Sequence, residues 1–418
     1  MLLFFATFAY FAPLRETGLC STDYFTASKP FRIRRLAGGR AVRYRWSERK
    51  VDKRSQRPPL QKTTDLAEPM REQYGSQPRF LVIRLSSIGD IVHALPAVAA
   101  LGHSFPRAEI HWLIENRYAS LLAGNPYIHR IIPLDTLSWR GSFPPASAIE
   151  EMVKSLTGLR GSAYEVVVDF QGLWKSAIIA LLTGANVRVG LAEPWLREPS
   201  AAVLYTERVS AAGRQHVVEE SLALVEYLGA RVGLWQFPLP RTPEADQYVD
   251  DQLARFEARD FMIINPGGGW KAKRWAPENY ALLLRRLETR FNGKILLTGS
   301  PEENELISGI LKSAGTKRAF YFPSSLVQFI ALARRAKLFL GGDTGPLHLA
   351  AAVETPLVAI HGPTDPARNG PFNKADIALY NQAPVNHTRR DANATYIEGI
   401  SVESVRAAIA ERLARVNA

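Results

Sequence analysis

Hydrophobic positions along this chain recur in two alternating rhythms. Residues 80–85, FLVIRL, form a nearly unbroken apolar run of strand length, and behind them Ile91, Ala94, Leu95 and Val98 fall on one helix face. The exchange continues, predicting strands at 109–114, 130–133 and 164–169 and helices at 91–101, 146–159 and 173–182. After a helical stretch at 216–228, the proline-rich segment PLPRTPEA (238–245) breaks the rhythm. The pattern then restarts, with strands at 261–265, 294–298, 337–340 and 357–360 between helices at 277–291, 302–314 and 326–334. An amphipathic stretch at 402–416 predicts a closing helix. Such alternation requires parallel βαβ units. The expected fold class is therefore α/β, with two facing Rossmann-like domains at 79–240 and 241–400, a leader at 1–78 and a C-terminal helix at 401–418.

At 418 residues, 46% hydrophobic, the chain is long enough for two domains that each bury a core. Its single cysteine, Cys20, excludes an internal disulfide framework or a cysteine-based metal cluster and suits a reducing compartment. The opening MLLFFATFAYFA is too short for a bilayer span, which needs ~20 residues, and no basic residue precedes it as in a secretory signal. Export is not expected. Most of the net charge of +12 lies in residues 1–69, whose stretch FRIRRLAGGRAVRYRWSERKVDKRSQRPP lacks apolar periodicity and reads as a disordered leader. A nucleic-acid arm or an anchor to anionic lipid would share that composition. Met70, shortly before the first strand, is the start that the pattern favours.

Three stretches carry candidate chemistry. In RLSSIGDIVHALP (84–96), Asp90 stands where a strand ends and a helix begins, the place where open α/β sheets bind ligands. A carboxylate there is either a helix cap or a base. In NPGGGWKAKRW (265–275), Gly267, Gly268 and Gly269 let the backbone approach a ligand, and Lys271 and Lys273 follow, a combination suited to a diphosphate. In GGDTGPLHLAAAV (341–353), Gly345 and Pro346 open a helix whose first amides would face the cleft and accept an anion. Asp343 beside it would repel phosphate, so sugar hydroxyls or its own turn are its expected partners, and His348 on an apolar helix has a structural reading as well. The chain contains no Asp-X-Asp triplet and no His/Cys spacing for a metal. Lysine and helix amides would neutralise a diphosphate in place of a divalent ion.

Seven ordered motifs together resemble glycosyltransferase family 9, the lipopolysaccharide heptosyltransferases, and more narrowly heptosyltransferase I. They are SSIGDIVHALPA, VVDFQGLWKSA, LREPSA, RQH, KRW, DTGPLHLAAA and HGPTDP, spread over roughly residues 79–371. The resemblance implies two Rossmann-like domains of the GT-B type, an acceptor bound by the first and ADP-heptose by the second, and inverting transfer of heptose to the Kdo of lipid A. It implies Asp90 as catalytic base, Lys273 at the donor phosphates, and Asp343, Thr344, Gly345 and His348 as the donor motif, with Glu303 at the ribose. It marks Ser86, Ser87, Gln171, Lys175, Arg197, Arg214 and His216 as acceptor-binding. Where the family often has hydroxyl residues this chain has Gly267 to Gly269, so backbone amides are the expected phosphate contacts, with Lys271 able to share the role of Lys273.

No cofactor, metal or nucleic acid is expected as a partner. A cytoplasmic enzyme in peripheral contact with the inner face of the inner membrane is implied. The alternatives are the sister enzyme that adds a second heptose, a nucleotide-sugar epimerase of similar fold, and a binding protein acting through the basic leader.

Overall fold

A computed structural model of the chain describes residues 77–136, 157–269, 271–381 and 399–416, positions 154 and 397, and two short strands in the leader. The rest of the leader and most of the helix predicted at 146–159 lie outside the described residues. The leader strands are β1 (Arg34–Arg35) and β2 (Ala41–Tyr44), paired antiparallel.

The first half contains β3 (Arg79–Ile83), β4 (Glu109–Glu115), β5 (Arg130–Leu134), β6 (Val166–Asp169), β7 (Val187–Leu191) and β8 (Glu207–Val209), all parallel, in the order β5-β4-β3-β6-β7-β8. Helices α1 (Ile88–Ser104) and α3 (Val217–Tyr227) cover one face and α2 (Trp174–Leu182) the other. The strands explain this division, because side chains alternate between faces. Phe80 and Val82 pack with α1 while Leu81 and Ile83 pack with α2. Burying Ile91, Leu95 and Val98 of α1 completely contributes ~1.5–3 kcal/mol apiece.

The second half repeats the plan. Its elements are α4 (Pro243–Arg255), β9 (Phe261–Asn265), α5 (Pro277–Glu288), β10 (Lys294–Leu297), α6 (Asn304–Ala314), β11 (Ala319–Tyr321), α7 (Leu326–Ala333), β12 (Leu338–Gly342), α8 (Gly345–Ala352), β13 (Leu357–His361), α9 (Pro366–Asn369), β14 (Ile377–Asn381) and α10 (Val402–Ala414). The parallel order β14-β13-β12-β9-β10-β11 mirrors that of the first sheet. Each half therefore has the doubly wound order in which the chain reverses direction beside its first strand, leaving a crevice at the carboxyl ends. In the first half the reversal lies between β3 and β6, with Ile83 level with Asp169. In the second it lies between β9 and β12, with Asn265 level with Gly341.

Several elements depart from the expected pattern. β7, β8, β11 and β14 carry no strong strand signal, since β8 and β11 are only three residues long and β7 and β14 mix buried and partly exposed positions. In the leader, β2 pairs antiparallel with the edge of β14, Tyr44 opposite Ala378 and Ala41 opposite Asn381. An unpaired sheet edge accepts any extended segment that satisfies its backbone groups, so composition alone misses this ladder.

Each half buries a core of its own, with Leu81, Ile83 and Val167 in the first and Met262, Ile264 and Leu284 in the second, and the two halves are also joined. One apolar cluster runs through both halves, joining Phe80, Leu95 and Val225 to Phe261, Phe339 and Leu347. It is continuous because α1 packs directly on α8. Two glycines permit that approach: a Cβ on Gly89 would lie 2.4 Å from His348 Cδ2, and one on Gly345 would lie 2.8 Å from Ile88 Cβ.

Candidate active site

The turn after β3 builds the first half of the site. Ser87, in extended conformation, caps α1, which begins at Ile88, earlier than the hydrophobic pattern predicts. Asp90 thus lies inside the first turn and not before the helix. Its Oδ2 accepts from the Ser87 amide at 3.0 Å and the Ser87 hydroxyl at 2.9 Å, while Oδ1 pairs with Arg84 Nη2 at 2.6 Å. The carboxylate is both a cap and 39% exposed. Burial pushes its pKa up, but the Arg84 guanidinium and the two Ser87 donors outweigh that and hold it below the ordinary carboxylate value. Arg84 is anchored by donating to the Phe170 carbonyl. An arginine closing an otherwise apolar strand was the sequence signal for it.

Asp90 opens into a cavity of about 220 Å³ lined also by Arg84, Gln171, Trp195, Arg197 and, from the second half, Arg368. Gln171 Oε1 accepts from the amides of Leu85 and Ser86 at 3.0 and 3.2 Å, tying the loop after β6 to the end of β3. Buried Asp169 holds that loop from beneath, accepting from the Gln171 amide at 2.8 Å and the Tyr205 hydroxyl at 2.7 Å. Of the acceptor residues expected from sequence, Gln171 and Arg197 line the cavity, and Ser86 and Ser87 lie in the turn between Arg84 and Asp90, which line it. The other three are engaged elsewhere. Lys175 donates to Thr136 Oγ1 at 3.0 Å and lies 3.8 Å from buried Glu115. Arg214 pairs with Glu226. His216 is fully buried as the cap of α3, accepting from the Val218 amide and donating to the Gly370 carbonyl at 3.1 Å. Burial lowers its pKa to about 4.

In the second half, the Gly-rich loop after β9 is clamped from two sides. Glu303 Oε1 accepts from the Gly268 amide at 2.8 Å, its Oε2 from the Ser300 amide at 2.9 Å, and Arg274 donates to the Gly268 carbonyl at 2.6 Å. A Cβ on Gly267 would lie 2.0 Å from the Glu303 carboxylate, and Gly269 faces open space. Of the amides expected to face phosphate, that of Gly268 is here engaged by Glu303.

Lys271 and Lys273 bound the turn that follows. Lys273 Nζ donates to Asp343 Oδ2 at 2.7 Å and to the Asp343 carbonyl at 3.1 Å. Asp343 Oδ1 accepts from His348 Nε2 at 3.1 Å. Against burial, which raises it, this hydrogen bond and the Lys273 charge hold the Asp343 carboxyl well below the ordinary value. Asp343 thus orders a lysine and a histidine, where sugar hydroxyls or its own turn were expected. Thr344 caps α8 and Gly345 begins it, seated against Ile88 of α1.

Among the described residues, the polar contacts that cross between the halves include His93 to His348 at 3.2 Å, His216 to Gly370, and Arg368 to Glu220 at 2.8 Å. Together they hold the Asp90 turn against α8, whose His348 bonds Asp343 and, through it, meets Lys273. The arrangement suits a hydroxyl nucleophile deprotonated on one side and an anionic leaving group received on the other. Among the described residues, no group of three or more His, Cys, Asp or Glu side chains is placed to hold a metal ion, and no helix is long and apolar enough to cross a membrane.

Comparison with known proteins bears on this geometry. The model of glycosyltransferase family 9 (heptosyltransferase) matches residues 152–396. Lipopolysaccharide heptosyltransferase 1 of Pseudomonas aeruginosa is 29% identical over 314 residues, 73% of this chain and 84% of that protein. Among solved structures, E. coli heptosyltransferase WaaC with ADP is similar at a TM-score of 0.66 and 26% identity, covering 80% of this chain and 99% of the other. The structure of WaaC with ADP-2-deoxy-2-fluoro heptose is similar at a TM-score of 0.62, with the same identity and coverage.

Proposed function

The chain belongs to glycosyltransferase family 9, and on that premise we propose that it moves heptose from ADP-heptose to the Kdo of lipid A, with inversion at the anomeric carbon. The observation that carries this reading is the meeting of the two crevices, with Gly89 of the Asp90 turn seated on the His348 ring of the donor motif. The similar WaaC structures hold ADP and an ADP-heptose analogue, which supports the donor. A cavity bearing three arginines supports an anionic acceptor sugar.

In the reaction, Asp90 takes the proton of the acceptor hydroxyl as that oxygen bonds to the anomeric carbon. The bond from this carbon to the diphosphate oxygen breaks on the opposite face. Lys273 and the first amides of α8 meet the charge that develops on the departing ADP, and Asp90 afterwards loses its proton to water. With the proposed lipid-linked acceptor, the enzyme would work in the cytoplasm, in peripheral contact with the inner face of the inner membrane. Leu181 and Leu182 of α2 and Val203 of the turn packed on it expose aliphatic surface suited to that contact.

Incubation with ADP-heptose and Kdo-lipid A in excess chelator, followed by mass analysis, tests the proposal. One heptose added to the Kdo acceptor is expected. Product only on an acceptor that already carries heptose would assign the second step, an isomerised sugar released without acceptor would assign an epimerase, and loss of activity restored by magnesium would reject metal-independent transfer.

The Arg84–Asp90 pair gives a pH prediction. Because Asp90 sits below the usual carboxylate range, its ionised form persists to low pH and activity should be lost only as pH falls through that lowered value. In Arg84→Gln the acid limb of kcat/KM should move to higher pH, since the charge holding the proton off is gone. An unmoved limb would mean that another group sets it.

A further inference from the structure

The contact between His93 and His348 joins the two halves at the site itself. His348 lies on α8, with Nε2 3.1 Å from Asp343 Oδ1 and Nδ1 3.2 Å from His93 Nε2. A carboxylate only accepts, so His348 donates from Nε2. In the neutral ring its Nδ1 is then an acceptor, and the hydrogen between the two rings must come from His93 Nε2. That tautomer leaves His93 Nδ1 bare, and this atom is buried without a hydrogen-bond partner beside the rings of His216 and Phe372. Burial, and after it the neighbouring His348 and His216, push the His93 pKa well down, consistent with a neutral ring. An unmatched buried nitrogen is costly. A purely packing role in this aromatic surround would be better filled by an apolar side chain.

We propose that His93 is a positioning residue for the donor half: its Nε2–H, delivered from the acceptor half, holds His348 in the tautomer and orientation that keep Asp343 and, through it, Lys273 in place. The inference rests on the reading of transfer from ADP-heptose. It makes the placement of Lys273 depend on the two halves being together, because His93 and His348 belong to opposite sides of the cleft. The chain of contacts His93, His348, Asp343, Lys273 is continuous, at 3.2, 3.1 and 2.7 Å.

The test compares His93→Leu with His93→Gln, whose side-chain amide nitrogen stands where imidazole Nε2 does. His93→Leu should lose about tenfold or more in kcat/KM for ADP-heptose, the equivalent of one buried hydrogen bond, with the melting temperature near wild type. His93→Gln should recover most of the loss. Equal activity of His93→Leu and wild type, or equal impairment of both variants, would overturn the proposal. Nitrogen-15 imidazole shifts of the wild-type protein give a readout independent of turnover. A bare, hydrogen-bonded His348 Nδ1 supports the assignment and a protonated one overturns it, even if both variants fail to fold. If wild type does not use ADP-heptose at all, the proposed function falls while these shifts still decide the role of His93.

Discussion

Asp90→Asn should lower turnover ~10²-fold or more while ADP-heptose affinity barely changes. The argument turns on which of the two jobs of Asp90 the amide can still do. An asparagine oxygen still accepts from the Ser87 amide and hydroxyl, so the cap on α1 survives, at a cost of a few tenths to about 1 kcal/mol for the lost charge at a helix N-terminus. What the amide cannot do is take the hydroxyl proton. Arg84, which pairs with Asp90 Oδ1 at 2.6 Å, remains in place to bind anions, so acceptor affinity should hold or rise slightly. Single-turnover rates, donor affinity and thermal melting measured on one preparation separate the readings. A large drop in melting temperature with normal turnover per folded molecule would make Asp90 a cap and nothing more.

Lys273→Ala carries the second large effect, again ~10²-fold or more in turnover, and should exceed the loss in donor affinity. The leaving ADP gains negative charge as the glycosidic bond breaks, so an ammonium at the phosphates stabilises the transition state more than the bound donor. In the resting site that ammonium lies 2.7 Å from Asp343, which is almost fully buried. Removing it therefore also strands a buried carboxylate, and alanine alone would mix the two effects. Lys273→Gln separates them, because its amide still donates to Asp343 but brings no charge to phosphate. Both variants should be slow, with glutamine the more stable. Arginine should rescue only in part, since its planar fork does not reproduce a compact ammonium. Lys271→Ala should be mild. If it is the crippled variant, the phosphate lysine is two residues earlier, and if neither matters, the α8 amides carry the charge alone.

Much of this site was legible in the linear order of residues. Asp90, Lys273, Asp343 and His348 stand in short motifs at strand ends, and strand ends are readable because a buried parallel strand is an apolar run with an abrupt stop. Gln171 and Arg197, which line the cavity, came only from the family resemblance of their motifs. The residues that escaped share a different property. Arg84 acts through Phe170 and Asp90, Arg274 through the Gly268 carbonyl, Arg368 through Glu220, and His93 through His348 across 255 positions of chain. Each gains its role from a partner that local periodicity does not show. Lys175, Arg214 and His216 show the converse. They occupy motifs that suggest an acceptor, yet hydrogen bonds and ion pairs formed on folding engage them elsewhere.

By itself the sequence determined the class of architecture, since the period of its apolar positions admits strands and helices only in alternation, and it determined the chemistry available at each strand end. The tertiary structure decided which of those ends face each other. Gly89 and Gly345 let α1 and α8 touch, joining the two halves through a shared apolar cluster and setting the Asp90 turn against His348 of the other crevice. The outer strands, too, were settled only by folding, because β7, β8 and β11 bury few side chains of their own and are defined by the neighbours they pair with. Local periodicity reports how a residue relates to the few beside it, whereas hydrogen bonds, close approach and shared burial are fixed by distances that the chain acquires only once both sheets have formed.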